Sequence, residues 1–160
     1  MTDKNKNSGS LKTTRFSAVD LFCGCGGLTT GLKKAGFNVV GAVDIDLNAI
    51  EICKANHPDV RIWESDIRLL NPDVLLESLC LKRGELDLLA GCPPCQGFSQ
   101  MRTKNGKLTI DDPRNNLLLD FQRFVEIFLP RAIMLENVPG LAKESIFLSF
   151  VDKMSALGYL

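Results

Sequence analysis

Two cysteines lie in a segment whose backbone is restricted by consecutive prolines. Residues 91–99 read Gly-Cys-Pro-Pro-Cys-Gln-Gly-Phe-Ser. A Pro-Pro step limits the backbone at and before each ring, so the segment holds Cys95 in a defined place. A cysteine held this way is a candidate nucleophile. Three other interpretations stay open: a Cys92-x-x-Cys95 redox pair, a zinc site shared with Cys23 and Cys25, and small buried apolar side chains.

A second segment, residues 20–27, is a glycine-rich turn that reads Asp-Leu-Phe-Cys-Gly-Cys-Gly-Gly. Glycines let the backbone approach a ligand closely at the start of a helix. Asp44 follows at the end of the next predicted strand, where a carboxylate can accept hydrogen bonds from ribose hydroxyls. The pattern therefore indicates a nucleotide-type site, and the alternative is a tight turn followed by a helix-capping aspartate. The turn lacks the Gly-x-Gly-x-x-Gly spacing, which argues against a nicotinamide or flavin enzyme.

A third segment, residues 136–140, reads Glu-Asn-Val-Pro-Gly and follows a predicted strand. A carboxyl group at a buried strand end can stay protonated through desolvation, or can take a proton from a substrate ring nitrogen. An isolated glutamate is more often a solvated loop acid. Glu136 therefore indicates chemistry only in combination with the other two segments.

Strand-like and helix-like segments alternate along the chain and place these three segments. Apolar runs and apolar periodicity predict strands over 16–22, 38–43, 60–63, 86–90 and 132–135, and helices over 28–35, 47–56, 73–81, 116–128 and 145–157. Asp46 can cap the second of these helices. One face of the fourth helix is apolar and consists of Leu117, Leu118, Phe121, Phe124, Val125 and Phe128. This alternation predicts an α/β fold with a doubly wound, mostly parallel sheet. Sites in such sheets lie at the carboxyl ends of the strands, and each unusual segment falls at such an end.

The composition is that of a globular protein with no excess of either charge. The chain has 160 residues, and 19 basic and 19 acidic side chains give a net charge of zero. A basic nucleic-acid coat is excluded, so any nucleic-acid role must depend on a local site. No apolar run approaches the roughly 18 residues of a membrane span, and the start lacks a signal-peptide core. We expect a soluble, cytoplasmic protein with reduced cysteines and no membrane partner, in which residues 1–14 are a flexible tail.

Taken together, in their order and rough spacing, the three segments resemble the cytosine-C5-specific DNA methyltransferases, which use S-adenosylmethionine. The glycine turn is similar to the family's first motif, Pro-Pro-Cys-Gln to its catalytic motif, and Glu-Asn-Val to the motif of that sequence. The resemblance covers about residues 15–160. It implies the Rossmann-like fold of S-adenosylmethionine-dependent methyltransferases and the transfer of a methyl group to C5 of cytosine.

The resemblance also implies a role for each matching residue. Cys95 is the nucleophile that adds to C6 of the base, and Glu136 binds the cytosine ring. Asp44 takes the ribose hydroxyls with Ile45 packed on adenine, and Asp66 accepts from the adenine amino group with Ile67 beside it. The remaining cofactor-binding residues are Phe22, Gly24, Gly26, Gly27, Pro94 and Leu117. No metal is implied, and Cys23, Cys25 and Cys92 receive no role.

The chemistry explains why a thiolate and an acid are needed. C5 of cytosine is a poor nucleophile, and addition of the Cys95 thiolate to C6 makes C5 enamine-like. Glu136 absorbs the charge pushed into the ring by engaging N3 and the exocyclic amine. The target carbon cannot be reached inside a duplex, so the resemblance implies double-stranded DNA as the partner and a flipped-out base. S-adenosylhomocysteine is the product of the cofactor.

Full members of this family continue well beyond the Glu-Asn-Val motif. They add an arginine-containing motif, a target-recognition domain and a closing motif, none of which occurs before Leu160. We expect residues 15–160 to be the N-terminal part of a catalytic domain, as a fragment or one half of a split enzyme, with its sheet truncated after about five strands. The unfinished edge would pair with a complementary chain or with itself.

Such a chain is expected to show little methyl transfer and weak DNA affinity when isolated. In the complete enzyme we expect it in the cytoplasm, associated with the nucleoid when bound to DNA. Two alternatives remain at this point. One is a transfer-RNA cytosine-C5 methyltransferase of the same fold, and the other is a cofactor-binding subunit without catalysis of its own.

Overall fold

A computed structural model describes residues 16–94 and 116–159 of the chain. The strands are β1 (Ser17–Leu21), β2 (Asn38–Asp44), β3 (Arg61–Glu64), β4 (Leu88–Gly91) and β5 (Ala132–Leu135). The helices are α1 (Gly27–Lys34), α2 (Leu47–Asn56), α3 (Pro72–Ser78), α4 (Leu117–Phe128) and α5 (Ser145–Ala156). The predicted tail, residues 1–14, lies outside the described residues, and so does Cys95.

The strands form one sheet with the order β3-β2-β1-β4-β5, and each neighbouring pair is parallel. β2 and β3 lie in succession on one side of β1, and β4 and β5 lie on its other side. This arrangement confirms the predicted doubly wound parallel sheet. The strand order reverses between β1 and β4, and ligands of such folds bind in the crevice at the carboxyl ends of the strands beside that point.

Helices cover both faces of the sheet, which explains why the strands are apolar on both sides. Within β1, Val19 and Leu21 face the larger core layer, built with α3, α4 and α5, whereas Ala18 faces the layer that α1 and α2 cover. The predicted apolar face of α4 is confirmed. Its fully or nearly fully buried members are Leu118, Phe121, Phe124, Val125 and Phe128.

Local signals set most element ends, with a few differences from the prediction. The Asp46 carboxylate accepts hydrogen bonds from the backbone N–H groups of Asn48 and Ala49, which confirms the predicted cap of α2. β1 stops at Leu21 because Phe22 adopts a φ of 65° and begins the glycine turn. A 3₁₀ turn over Pro139–Lys143 was not predicted. None of the helices in the described ranges is long and apolar enough to cross a membrane.

Gly91 ends β4 at the position where the sheet meets α4. A Cβ atom added there would lie 2.9 Å from the carbonyl oxygen of Leu21 and 2.9 Å from the ring of Phe121. Both neighbours are fully buried, so neither can move away at low cost. The close approach of β1, β4 and α4 therefore requires a residue without a side chain.

The first prediction concerns Gly91→Ala, which we expect to lower the free energy of unfolding by about 1–3 kcal/mol, as overpacked cores do. The measurement is urea denaturation followed by circular dichroism. Gly31→Ala is the matched control, because a Cβ at Gly31 meets no other atom within 4 Å. In the helical backbone of α1 the control should raise stability by up to about 1 kcal/mol. Equal effects of the two variants would contradict the prediction.

Candidate active site

A cavity of about 290 Å³ opens at the carboxyl edge of the sheet, close to the lower end of the range for small-molecule sites. The loops that follow β1, β2, β3 and β4 contribute to its lining, together with the start of α4. It brings together most of the predicted cofactor-binding residues: Phe22, Asp44, Ile45, Asp66, Ile67, Pro94 and Leu117. The sequence motifs that contributed these residues are thus neighbours in space.

Four further residues complete the lining, namely Val43, Ser65, Arg68 and Cys92. Sequence reasoning assigned none of them to the cofactor. Ser65 and Arg68 flank the predicted pair Asp66-Ile67. Sites in such sheets lie at the carboxyl ends of strands, so including one more residue on each side of the pair would have found them. Val43 lies inside β2, directly before Asp44.

The Asp44 carboxylate fixes the glycine turn. One oxygen accepts from the backbone N–H of Gly24 at 2.7 Å. The other accepts from the N–H groups of Ile45 at 2.8 Å and Asp46 at 2.9 Å. A carboxylate offers about four acceptor positions, so one remains for a hydroxyl donor from the cavity. Asp44 can therefore organise the turn and bind a ligand at the same time.

The three predicted glycines, Gly24, Gly26 and Gly27, do not line the cavity. At Gly26 the requirement for glycine comes from behind the turn. Its φ is 88°, and an added Cβ would lie 2.7 Å from the ring of His57 and 2.9 Å from the sulfur of Cys53. His57 is buried, and its Nε2 lies 3.2 Å from the carbonyl oxygen of Gly26. Whether these glycines contact a cofactor stays a prediction.

Asp66 is engaged by the neighbouring cation of the same loop. The Arg68 guanidinium forms an ion pair with both carboxylate oxygens, with an Nε to Oδ1 distance of 2.9 Å. The Arg68 N–H also donates to the same carboxylate. These hydrogen bonds hold the pKa of Asp66 below its usual value. A ligand amino group that binds Asp66 must therefore displace part of this ion pair.

Asp20 is a fully buried acid beneath the glycine turn. Thr29 donates to one of its oxygens at 2.6 Å, and the other oxygen has no hydrogen-bond partner within the described part of the chain. Burial raises the pKa of Asp20 to about 6, and the negative charge of Asp44 adds to the effect. The acid therefore changes its charge in the mildly acidic range.

Glu136 follows β5, where the predicted catalytic segments approach each other. Its backbone N–H donates to the carbonyl oxygen of Gly91 at 3.0 Å, and the Asn137 side chain donates to the carbonyl oxygen of Pro93 at 3.0 Å. Burial, with the Glu136 carboxylate next to the thiol, raises the pKa of Cys92 to about 11. Glu136 itself is exposed and does not line the cavity. The Glu-Asn-Val segment is thus hydrogen-bonded to the end of β4 and to Pro93, which precede Cys95 in the chain.

The cysteines of the described ranges are free thiols. Cys23 and Cys53 are buried against each other behind the glycine turn, and desolvation raises the pKa of Cys23 well above its usual value. Cys25 is exposed. Residues 16–94 and 116–159 contain no group of three or more His, Cys, Asp or Glu side chains that could hold a metal ion.

The second prediction concerns Asp20→Asn. Folding favours the protonated acid, so the Asp20 contribution is fully present below about pH 4 and is lost as the pH rises through about 6. The variant carries no such penalty, and its stability relative to wild type should rise by up to about 3 kcal/mol between pH 4 and pH 7. Urea unfolding across this range measures the difference.

Asp152→Asn is the matched control, since it removes a carboxylate from the exposed surface of α5. Its pH profile measures the effect of losing an exposed carboxylate and is the baseline for Asp20→Asn. A profile for Asp20→Asn that matches this baseline would show that the buried acid does not titrate in this range.

Comparison with protein families agrees with this geometry. Residues 16–160 match the model of the C-5 cytosine-specific DNA methylases. The Type II methyltransferase M.AgeI of Thalassovita gelatinovora is 40% identical over 147 residues, which cover 90% of this chain and 33% of that protein. M.DdeI of Desulfomicrobium norvegicum is 42% identical over 126 residues, covering 79% of this chain and 28% of that protein. The chain therefore spans about a third of the length of these relatives.

Solved structures show the same fold. A DNA modification methyltransferase encoded within a prophage of E. coli is 34% identical, with a TM-score of 0.71 over 89% of this chain and 37% of that one. A variant of Spodoptera frugiperda DNMT2 is 29% identical, with a TM-score of 0.66 over 89% of this chain and 41% of that one. Because the family model matches all but the first residues, the chain belongs to the C-5 cytosine-specific DNA methylase family.

Proposed function

We propose that this chain is the cofactor-binding and nucleophile-bearing part of a DNA (cytosine-5-)-methyltransferase. The methyl donor is S-adenosylmethionine, and S-adenosylhomocysteine is released. The observation that carries the proposal is the cavity at the carboxyl edge of the sheet, whose lining includes seven of the residues that the resemblance assigns to the cofactor. Family membership supports the same activity.

The lining has the chemistry that an adenosine derivative requires. The apolar walls come from Phe22, Ile45, Ile67, Pro94 and Leu117. A flat base packs well between such side chains. Asp44 and Asp66 supply acceptors for hydroxyl and amino groups, and their negative charge suits a ligand that carries a sulfonium. The residues present therefore fit the proposed cofactor.

In the proposed reaction the bound cofactor supplies an electrophilic methyl group. The Cys95 thiolate adds to C6 of a flipped cytosine, which makes C5 nucleophilic. Glu136 holds N3 and the exocyclic amine. It thereby stabilises the charge that thiolate addition places in the ring while C5 bonds to the methyl group. Removal of the C5 proton and departure of the Cys95 sulfur then restore the aromatic ring.

The hydrogen bonds between the two catalytic segments support this assignment. The Gly91–Glu136 and Pro93–Asn137 bonds join the backbone of the Pro-Pro loop to the Glu-Asn-Val segment. Cys95 itself lies outside the described residues, two positions beyond Pro93. Its role is proposed from the motif.

We propose double-stranded DNA as the substrate, because the family model that matches this chain describes DNA methylases and the similar prophage protein is described as a DNA modification methyltransferase. The remaining part of the catalytic domain would dock beside β5, whose outer side faces no other strand within the described ranges. Met134 on β5 is exposed. A complementary chain, a second copy or a continuation of this chain can cover this strand. The proposed activity places the protein with DNA in the cytoplasm.

The third prediction is that the purified chain binds S-adenosylhomocysteine and that Asp66→Asn weakens this binding about tenfold, the effect of losing a charged hydrogen bond. Isothermal titration calorimetry measures both dissociation constants. Asp73→Asn on α3 is the control, and it should bind as the wild type does. Absence of binding to the wild-type chain would overturn the proposed cofactor site.

The fourth prediction concerns Cys95→Ser in the longest natural form of the protein that contains this chain. We expect the variant to lose methyl transfer from labelled S-adenosylmethionine to duplex DNA. It should also lose the covalent complex with 5-fluorocytosine DNA on denaturing gels, because a serine hydroxyl is a much weaker nucleophile. Cofactor binding should be retained.

Cys80→Ser is the matched control, because Cys80 is an exposed thiol outside the cavity. It should keep both activities. Methyl transfer that survives in Cys95→Ser would overturn the role of Cys95 as the nucleophile, whereas a wild type that binds the cofactor without transferring methyl would favour the alternative of a cofactor-binding subunit without catalysis. Transfer RNA assayed in parallel tests the substrate, and a preference for it over DNA would overturn the proposed polymer.

A further inference from the structure

Arg123 on α4 connects this helix to the loop between β3 and α3. Its Nη1 donates to the carbonyl oxygen of Leu70 at 3.0 Å, and its Nη2 donates to the carbonyl oxygen of Ile67 at 2.6 Å. Asp120, three residues earlier on the same helix, accepts from Nη2 at 3.3 Å. The guanidinium therefore makes two bonds to one loop while an acid of its own helix orients it.

The bond pattern depends on the shape of arginine. A guanidinium is planar and presents its N–H groups as a rigid fork, which can serve two carbonyl oxygens at once. A lysine ammonium in the same place has a single nitrogen and cannot span both acceptors in this geometry. The side chain of Arg123 is 37% exposed, so water competes only in part for these bonds.

The loop that Arg123 holds forms one wall of the cavity. Ser65, Asp66, Ile67 and Arg68 line it in succession. The next residue, Leu69, is 84% exposed, so the outer side of the loop packs against little. The loop is held by the buried side chain of Ile67, by packing of Leu70 against the core and by the hydrogen bond of the Ser65 N–H to the carbonyl oxygen of Asp44 at 2.8 Å. The Arg123 guanidinium adds the hydrogen bonds that join the backbone of Ile67 and Leu70 to α4. Without them the direction of the Asp66 carboxylate is less restricted.

The helix that carries Arg123 also supports two other walls of the cavity. Leu117 at its first turn lines the cavity directly, and Phe121 packs against Gly91 at the end of β4. Arg123 thus connects the loop after β3 to α4, the same helix that packs against the end of β4. Because β3 is an edge strand, this connection fixes the position of its loop relative to the rest of the cavity.

We propose that Arg123 is a positioning residue for the adenine end of the cofactor site. Its two hydrogen bonds hold residues 65–70 against α4, so that Asp66 faces the amino group of the base. This inference rests on the proposed function, since it concerns the selectivity of the same site. A merely structural role would lower stability without changing which base is preferred.

The test compares two ligands on the purified 160-residue chain. S-adenosylhomocysteine carries the adenine amino group, and S-inosylhomocysteine has a carbonyl oxygen in its place. Wild type should prefer the adenine ligand. Arg123→Met should weaken the binding of S-adenosylhomocysteine about tenfold and remove most of the preference, because the variant weakens the hydrogen bond between Asp66 and the adenine amino group. Arg123→Lys keeps the charge but not the fork, and should lie between the two.

Hydrogen exchange gives a readout that needs no ligand. The N–H groups of Leu69 and Leu70 both donate to the carbonyl oxygen of Asp66 inside the loop. Their exchange should speed up in both Arg123 variants if the fork holds the loop. Arg131→Met is the matched control, because Arg131 pairs with Asp87 at the amino end of β4, away from the cavity. It should change neither the exchange of these amides nor the ligand preference.

The outcomes separate this inference from the proposed function. If the wild-type chain binds neither ligand, the proposed function fails. Hydrogen exchange then tests Arg123 alone, and unchanged exchange at Leu69 and Leu70 in the Arg123 variants would overturn its role in holding the loop. If wild type prefers the adenine ligand and both Arg123 variants keep that affinity and preference, the inference is wrong while the function stands. If Arg123→Met does not fold, Arg123→Lys decides with the same measurements.

Discussion

The parallel pairing of β1 with β4 is the interaction on which the candidate site depends. Leu21 pairs with Gly91, and the backbone N–H of Cys92 donates to the carbonyl oxygen of Leu21 at 3.3 Å. This pairing ends both strands at the same level, so the glycine turn and the Pro-Pro loop leave the sheet side by side. It holds only because Gly91 has no side chain between Leu21 and the ring of Phe121. The crevice that follows is where an α/β sheet of this order offers a ligand site.

Negative charge accumulates at this edge, and the structure neutralises it in three different ways. Asp44 accepts from the backbone N–H of Gly24 in the glycine turn and from those of Ile45 and Asp46, and Asp66 is paired with the Arg68 guanidinium. Asp20 is fully buried, and one of its oxygens has no partner among residues 16–94 and 116–159. It is stabilised in its protonated form, as its raised pKa indicates. Like charges in a partly desolvated edge repel each other, so each acid needs its own means of stabilisation. A ligand with positive charge would relieve part of this repulsion.

Much of the fold follows from local signals that act within a few residues. Apolar runs of strand length, the Asp46 cap and the apolar face of α4 are all properties of short segments, and they were predicted close to their observed bounds. The ends of β1 and β4 were less predictable. Phe22 could have extended β1, but the left-handed backbone that the turn needs begins there. The extent of β4 is set by its pairing with both β1 and β5.

The sequence by itself determined the class of fold, the family and the residue types of the candidate site, because motif order and hydrophobic patterning are carried by the chain alone. The tertiary structure decided which residues share a cavity and what holds them there. Arg123 is more than 50 positions from Ile67, and Asn137 is 44 from Pro93, yet each pair is hydrogen-bonded. The requirement for glycine at position 26 likewise comes from His57 and Cys53, which pack behind the turn. Such contacts depend on the paths of separate elements through space, and no local pattern encodes them.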